Sequence, residues 1–294
     1  MDSILNSRFG LRFALTIART TPPRLGYVIA RLIAQILTLR KESNLIQTIR
    51  MNQQRVSGNT LNKADLDQAA REVLLNSSRS IYDLYHYLED LDSNDDKFFI
   101  DPAFQGLIDH SKANTQGIVI GGLHMVGFDL AFQWLVPDLI DPLALTIPNP
   151  EGGRALEFQR RVERGIRLVP GSFKGLREAI RYLEQGGIVV TGIDHPSEIF
   201  QHRLNFFGAP ASLPSHHIFL ALKAKCPVVV AASYLGADGR YHLTASSPID
   251  MEILPDREDQ LRHNGGKVLA AAEDIIREHP QQWLVFQPVW GNEE

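Results

Sequence analysis

The chain has 294 residues, 44% hydrophobic and 22% charged, with a formal net charge of −4 and one cysteine, Cys226. That length can bury a full core. The charge excludes the basic excess of a nucleic-acid protein, the lone cysteine excludes an internal disulfide and suits a reducing compartment, and no Cys-x-x-Cys pair suggests zinc.

The amino-terminal region departs from the average. Through Lys41 it carries Arg8, Arg12, Arg19, Arg24, Arg31, Arg40 and Lys41 against Asp2 alone, interleaved with Leu, Ile, Phe and Val. The longest apolar stretch, Leu25 to Leu39, is interrupted by Arg31 and falls short of the roughly 20 residues that span a bilayer. No small-residue cleavage site follows a compact apolar core, so no secretory signal is expected. Basic, amphipathic and short describes a helix lying on an anionic membrane surface. The competing reading is a helix packed on the protein's own core with its arginines solvated.

Pro22-Pro23 divides two helical stretches, because each proline lacks an N–H and restrains its predecessor. Residues 44–55 and 63–91 continue the helical pattern around the turn Ser57-Gly58-Asn59, with Leu66, Ala69, Ala70, Val73 and Leu74 marking one face. No strand is expected before residue 100. The acidic break at 90–96 sets the expected boundary between a helical, membrane-docking region (1–95) and an α/β domain (96–294).

Beyond it, strand-like runs at 117–121, 143–147, 166–169, 188–193, 228–233 and 241–244 alternate with helical stretches at 128–135, 155–164, 175–184 and 217–224, and a late helix covers 257–278. Apolar strands alternating with helices predict an α/β fold, an αβα sandwich around a mostly parallel sheet buried on both faces. There is no internal repeat and no low-complexity segment.

Candidate chemistry sits at strand ends. After Gly117-Ile118-Val119-Ile120 comes Gly121-Gly122-Leu123-His124-Met125-Val126-Gly127-Phe128-Asp129. On one continuous helix, five residues turn roughly 500°, leaving the His124 and Asp129 side chains about 140° apart. They meet only if His124 lies on the turn and Asp129 in the first turns of the next helix, which the glycines allow. An imidazole oriented by a carboxylate is a general base suited to neutral pH. A structural hydrogen bond at a turn is the plain alternative. With no Gly-x-Ser-x-Gly elbow to supply a nucleophile, the base has to activate a hydroxyl brought by a substrate.

Asp194 and His195 follow the fourth strand, and Arg154, Arg160, Arg161, Arg164 and Arg167 cluster before it. The aromatic block Leu204 to Pro214 precedes an apolar helix. Ligands in open α/β sheets bind outside the carboxyl ends of the strands, so His124, Asp129 and Asp194 are expected to share a crevice. The adjacent histidines His216-His217 point differently and lack an acidic partner at ligand spacing, so no metal is expected. Cys226, before Pro227 and a buried strand, reads as an inert core thiol.

Several blocks together resemble a known family: the His-x4-Asp of His124 and Asp129 after Gly-Ile-Val-Ile-Gly-Gly, Phe-Phe-Gly-x-Pro-Ala-x-Leu-Pro at Phe206 to Pro214 followed by Pro-Val-Val-Val, and Pro280-Gln281-Gln282-Trp283 with Phe286 and Trp290. In this order they are similar to the bacterial lipid A biosynthesis (lauroyl/myristoyl) acyltransferases, which include phosphatidylinositol mannoside acyltransferases and belong to the glycerolipid acyltransferases. The likeness runs from about Asn44 to Trp290.

The resemblance implies peripheral or monotopic association with the cytoplasmic face of a membrane. It also implies acyl transfer from a thioester of acyl carrier protein or coenzyme A to a hydroxyl of a membrane lipid or glycolipid, with no resident cofactor. His124 becomes the general base and Asp129 its orienting carboxylate. The family's arginine maps to Arg161, with Arg164 its rival, as a group that binds an acceptor phosphate or the donor's phosphopantetheine or stabilises the oxyanion. Asp194, His195, Phe206, Phe207 and Gly208 become substrate-binding candidates, although the two phenylalanines also suit core packing. Three positions depart from the family: His195-Pro196 where an arginine is common, Ser215-His216-His217 where a glycine follows Leu-Pro, and Gln287 where an arginine is frequent. A hydrolase using the same base on water, and an inactive lipid-binding scaffold, remain alternatives; the oligomeric state stays open.

Overall fold

The computed structural model describes residues 16, 18–88, 90–113, 115–139, 141–147, 153–196 and 203–291, with the side chains of the stretch beginning at 153 described from 157 onward. Arg8, Arg12 and the Arg154 side chain therefore lie outside the described set.

After the helical residues at 18–20, three helices precede the sheet. Helix α1, Pro23–Thr38, starts with a proline at a position where the missing N–H has no intrahelical partner anyway. Helix α2, Asn44–Val56, is capped by the Ser43 side chain, and α3, Lys63–Tyr87, by Asn62, which accepts from the backbone of Ala64 and Asp65. Helix α1 packs on α3 with its small residues inward: Gly26, Ala30 and Ala34 are buried. A Cβ on Gly26 would lie 2.1 Å from the Tyr82 ring, so only glycine permits this approach. Leu25, Val28, Leu32, Ile33 and Ile36 of α1 face outward at 47–57% exposure, and Leu39 just beyond the helix is 80% exposed. Among the described residues no helix is long and apolar enough to cross a membrane.

The remaining elements follow in chain order: β1 Phe98–Ile100, α4 Pro102–Ala113, β2 Ile118–Gly122, α5 Phe128–Leu135, β3 Leu143–Thr146, α6 Gly153–Glu163, β4 Arg167–Pro170, α7 Phe173–Glu184, β5 Ile188–Gly192, β6 Arg203–Phe206, β7 Ala209–Ser212, α8 His216–Ala224, β8 Val228–Leu235, β9 Tyr241–Ala245 and α9 Arg257–Glu278. Seven strands form one sheet in the order β1-β9-β8-β2-β5-β3-β4. Five run parallel, while β9 is antiparallel to β8 and carries β1 with it. Alternation along β2 sends Ile118 and Ile120 to one face, among α4 and α5, and Val119 to the other, among α7, α8 and α9. The expected αβα sandwich is the architecture found.

Four elements were not expected from the sequence. Strand β1 is three residues long, too short for a period-2 pattern, and contradicts the absence of strands before residue 100. Helix α4 interrupts its apolar stripe with Gly106. Strands β6 and β7 form a separate two-stranded hairpin containing Pro210, a residue that argues against a central strand and is tolerated at an edge.

The sheet also fixes where a ligand can sit. Adjacent strands β2 and β5 pair in register through Gly122 and Gly192. The chain leaves β2 toward β3, beyond β5, and leaves β5 toward β8 on the other side. The strand order therefore reverses between β2 and β5, which opens a crevice at their carboxyl ends.

Candidate active site

Two residues past the paired glycines on each strand stand His124 and Asp194, so the register brings them together across one strand spacing. The Asp194 carboxylate is fully buried, and its Oδ1 lies 2.6 Å from His124 Nδ1. Its Oδ2 accepts from the His124 backbone N–H and from the Trp283 indole Nε1–H, each at 2.8 Å. All three donors hold the carboxylate ionised and fixed. Burial alone would raise the Asp194 pKa, but His124, Trp283 and the backbone N–H outweigh it and keep it below the usual carboxylate range. For His124, burial pulls the pKa down; the Asp194 charge and hydrogen bond outweigh it and leave it raised above 6.5, with Arg161 opposing and Asp129 adding to the rise.

The His124 side chain remains 38% exposed. With Nδ1 committed to Asp194, Nε2 is the nitrogen left to face a substrate. Gly192 makes room for the ring, because a Cβ there would lie 2.7 Å from His124 Cε1. The loop itself is pinned from outside the sheet. Leu284 N–H donates to the His124 carbonyl at 2.8 Å, Val126 N–H donates to the Gln282 carbonyl at 3.0 Å, and Met125 bridges Trp283. On the other side, Gly127, at a left-handed φ of 76°, donates its N–H to Ser80 Oγ of α3 at 3.0 Å. Helix α3 thus lies across the carboxyl end of β2.

An imidazole with a buried, ionised carboxylate on one nitrogen and an open second nitrogen can take a proton from a hydroxyl or from water. Beside it, a narrow apolar pocket between α5 and the sheet is lined by Ile120, Phe128, Ala131, Phe132, Leu135 and Val190 among others. Phe128 connects the two, its ring centroid 5.8 Å from that of His124. A model of the bacterial lipid A biosynthesis acyltransferase family matches residues 13–292. The chain belongs to that family.

Membership makes the chain an acyltransferase. The comparison with curated proteins finds no match. Within this acyltransferase the structure corrects one expected partnership. Asp129 does not orient His124: its Oδ1 accepts from Arg161 Nε at 2.8 Å, while Asp194 takes the imidazole. The reason is register. Asp129 lies in the first turn of α5, beyond the left-handed Gly127, whereas Asp194 leaves the neighbouring strand level with His124.

Of the two rival arginines, Arg161 on α6 comes near His124 through Asp129. Arg164 turns away, to Asp92 Oδ1 at 2.9 Å and the Gln133 carbonyl at 3.4 Å, and is not brought into the crevice. His195 is brought in, with its ring centroid 5.3 Å from that of His124.

The aromatic block is not brought in. Phe206 is fully buried, stacked on Trp290 at 5.7 Å and edge-on to Trp283 at 6.0 Å. Phe207 is buried under the Arg277 guanidinium, and Gly208 closes the β6–β7 turn facing open space. These three were expected to bind substrate; the two phenylalanines instead pack with Trp283 and Trp290, and Gly208 forms the hairpin turn. The apolar drive of two adjacent phenylalanines wins over exposure to a crevice. Trp283, which donates to Asp194, is the site residue that sequence reasoning left without a chemical role. Its signal was available, since a buried indole has one donor and needs an acceptor. Cys226 is buried, with its thiol pushed up to about 12, as an inert core residue should be.

Proposed function

We propose that this acyltransferase moves a fatty acyl group from a thioester, on acyl carrier protein or coenzyme A, to a hydroxyl of a membrane lipid or glycolipid. The observation that carries the reading is the His124–Asp194 hydrogen bond at a strand-end crevice. His124 Nε2 takes the proton of the acceptor hydroxyl as its oxygen attacks the thioester carbonyl. The C–S bond then breaks, the ester forms, and the proton passes to the departing thiolate. Asp194 keeps the proton of the neutral imidazole on Nδ1 and stabilises the imidazolium that develops. Arg161, held by Asp129 through Nε, has its Nη groups left to meet an acceptor phosphate, the donor's phosphopantetheine or the oxyanion. The pocket beginning at Phe128 suits the acyl chain.

The exposed apolar face of α1, with Arg24 and Arg31 within the helix and Arg40 and Lys41 just beyond it, supports docking on an anionic bilayer at the cytoplasmic membrane face. The test of the chemistry is His124→Ala. Transfer is expected to fall by at least the roughly 10²-fold that a general base supplies, with the fold intact by circular dichroism. Wild-type transfer in that variant would sink the mechanism, and rapid release of free fatty acid by the wild type without an acceptor would assign the site to hydrolysis.

A further inference from the structure

Among the described residues two carboxylates are buried, Asp194 in the crevice and Asp83 on α3. No step at His124 uses Asp83. A buried acid is costly unless it is partnered, and the partners of this one come from three elements. Its Oδ2 accepts from the Tyr241 hydroxyl at the start of β9 and lies 3.7 Å from Arg79 Nε, one turn back on α3. The Tyr27 hydroxyl of α1 is a further donor directed at the carboxylate, and the Arg79 guanidinium lies 4.5 Å from the Tyr27 ring centroid. Burial and the Asp83 charge push both phenols up from their ordinary range, so each keeps its proton for donation.

Tyr241 carries this anchorage to the His124 loop. Its ring lies on Gly127, where a Cβ would stand 2.3 Å from Tyr241 Cδ1. Gly127 is three residues past His124 and turns the chain into α5 at a left-handed φ. The Gly127 N–H goes to Ser80 Oγ, three residues before Asp83 on the same helix face. Helix α3 therefore holds the loop twice, directly through Ser80 and indirectly through Asp83 and Tyr241. Because residues 282–284 fix the opposite side of the loop, a movement of the Tyr241 ring is taken up between Gly127 and His124. The bond at stake is the 2.6 Å contact of His124 Nδ1 with Asp194 Oδ1.

We propose that Asp83 is a positioning residue for this site: it ties Tyr241 to α3 and so holds the His124 ring at bonding distance from Asp194. Through Tyr27 it also makes that distance depend on how α1 sits on α3. This role rests on His124 acting as the base. A purely structural role is the competing explanation, in which Asp83 only joins α1, α3 and β9. The two differ at His124. Positioning predicts a changed imidazole in a folded chain, whereas joining predicts lower stability with the imidazole unchanged.

The test uses the full chain with labelled histidine, whose His124 signal is identified by its loss in His124→Gln. Imidazole titration by NMR is read beside kcat and KM for transfer of a dodecanoyl thioester. Tyr241→Phe removes the hydroxyl and keeps the ring on Gly127; Asp83→Ala removes the carboxylate. Both should lower kcat by about tenfold with KM largely unchanged, as expected of a displaced base. Both should also lower the His124 pKa, because a longer reach to Asp194 weakens the interaction that raises it. Tyr27→Phe should show a smaller loss of the same kind. The Tyr27/Tyr241 double variant should stay within about twofold of Tyr241→Phe, since both hydroxyls act through Asp83. Val73→Ala truncates a buried α3 residue of the cluster between α1, α2 and α3 and serves as the stability control. It should lower the melting temperature and leave kcat and the His124 titration alone. A wild-type His124 titration in Tyr241→Phe overturns the proposal even if Asp83→Ala fails to fold. So does an equal shift in Val73→Ala, or a double variant whose loss is the product of the two single losses. A shifted titration with wild-type kcat would leave the positioning role standing and remove His124 as the base.

Discussion

Replacing Asp194 by asparagine separates the two carboxylates near the base. In the native site, Oδ2 accepts two hydrogen bonds, from the His124 backbone and from Trp283, while Oδ1 faces His124 Nδ1. An asparagine has one oxygen, and the two fixed N–H donors claim it. The amide NH2 then points at Nδ1, which has to become an acceptor, and the imidazole proton moves to Nε2. That tautomer cannot take a proton from a hydroxyl. The equivalent change in a serine protease triad lowers turnover about 10⁴-fold, or about 5 kcal/mol of barrier, and a loss of that order is expected here. Asp129→Asn keeps an oxygen for Arg161 and should lose no more than about tenfold. The assay is initial-rate transfer of a radiolabelled dodecanoyl group to a hydroxyl-bearing glycolipid in mixed micelles, with thermal melting as a fold control. A pH profile adds a second readout. Asp194 holds the His124 pKa above 6.5, so the acid limb of the wild type should lie above 6.5, and the residual activity of the asparagine variant should carry that limb to lower pH. A larger loss in Asp129→Asn than in Asp194→Asn would refute the assignment.

Other outcomes follow from the same structure. His217 is fully buried, neither ring nitrogen has a hydrogen-bond partner among the described residues, and desolvation pushes its pKa down to about 3. Its folded pKa lies below the unfolded 6.5, so it contributes stability that is present above pH 6.5 and lost as pH falls; His217→Phe should raise stability by about 1 kcal/mol and flatten that acid loss in urea titrations. Leu32→Glu with Ile36→Glu puts charge on the exposed face of α1 and should abolish sedimentation with anionic vesicles while leaving the melting temperature within a few degrees, and undiminished sedimentation would place membrane contact elsewhere. Ala131→Leu narrows the apolar pocket beside Phe128 and should favour shorter acyl donors, each unseated methylene losing about 0.8 kcal/mol or roughly fourfold in kcat/KM; an unchanged chain-length profile would remove the pocket from the reaction.

The buried strands and the helices between them were readable because their apolar residues repeat with periods the backbone imposes. The elements that escaped were those whose pattern is set by partners. Strand β1 exists because β9 offers it an edge, and the β6–β7 hairpin because Trp290 stacks on Phe206. His124 and Asp194 were both visible as strand-end residues. Their partnership was not, since it depends on β2 and β5 being neighbours in register, and sequence order places α5, β3, α6, β4 and α7 between them. Asp129 drew the pairing because it is close in sequence, a poor guide on a turn that ends in a left-handed glycine.

The pinning of the His124 loop by residues 282–284 sets an order of events during synthesis. The last strand of the central sheet ends at Ala245, so a nascent chain can have every strand translated while Trp283 and Leu284 are still to come. At that stage Asp194 lacks its indole donor and the His124 carbonyl lacks its partner. The His124–Asp194 pair is therefore completed late, after the sheet that carries it, as the segment around Trp283 closes over the loop.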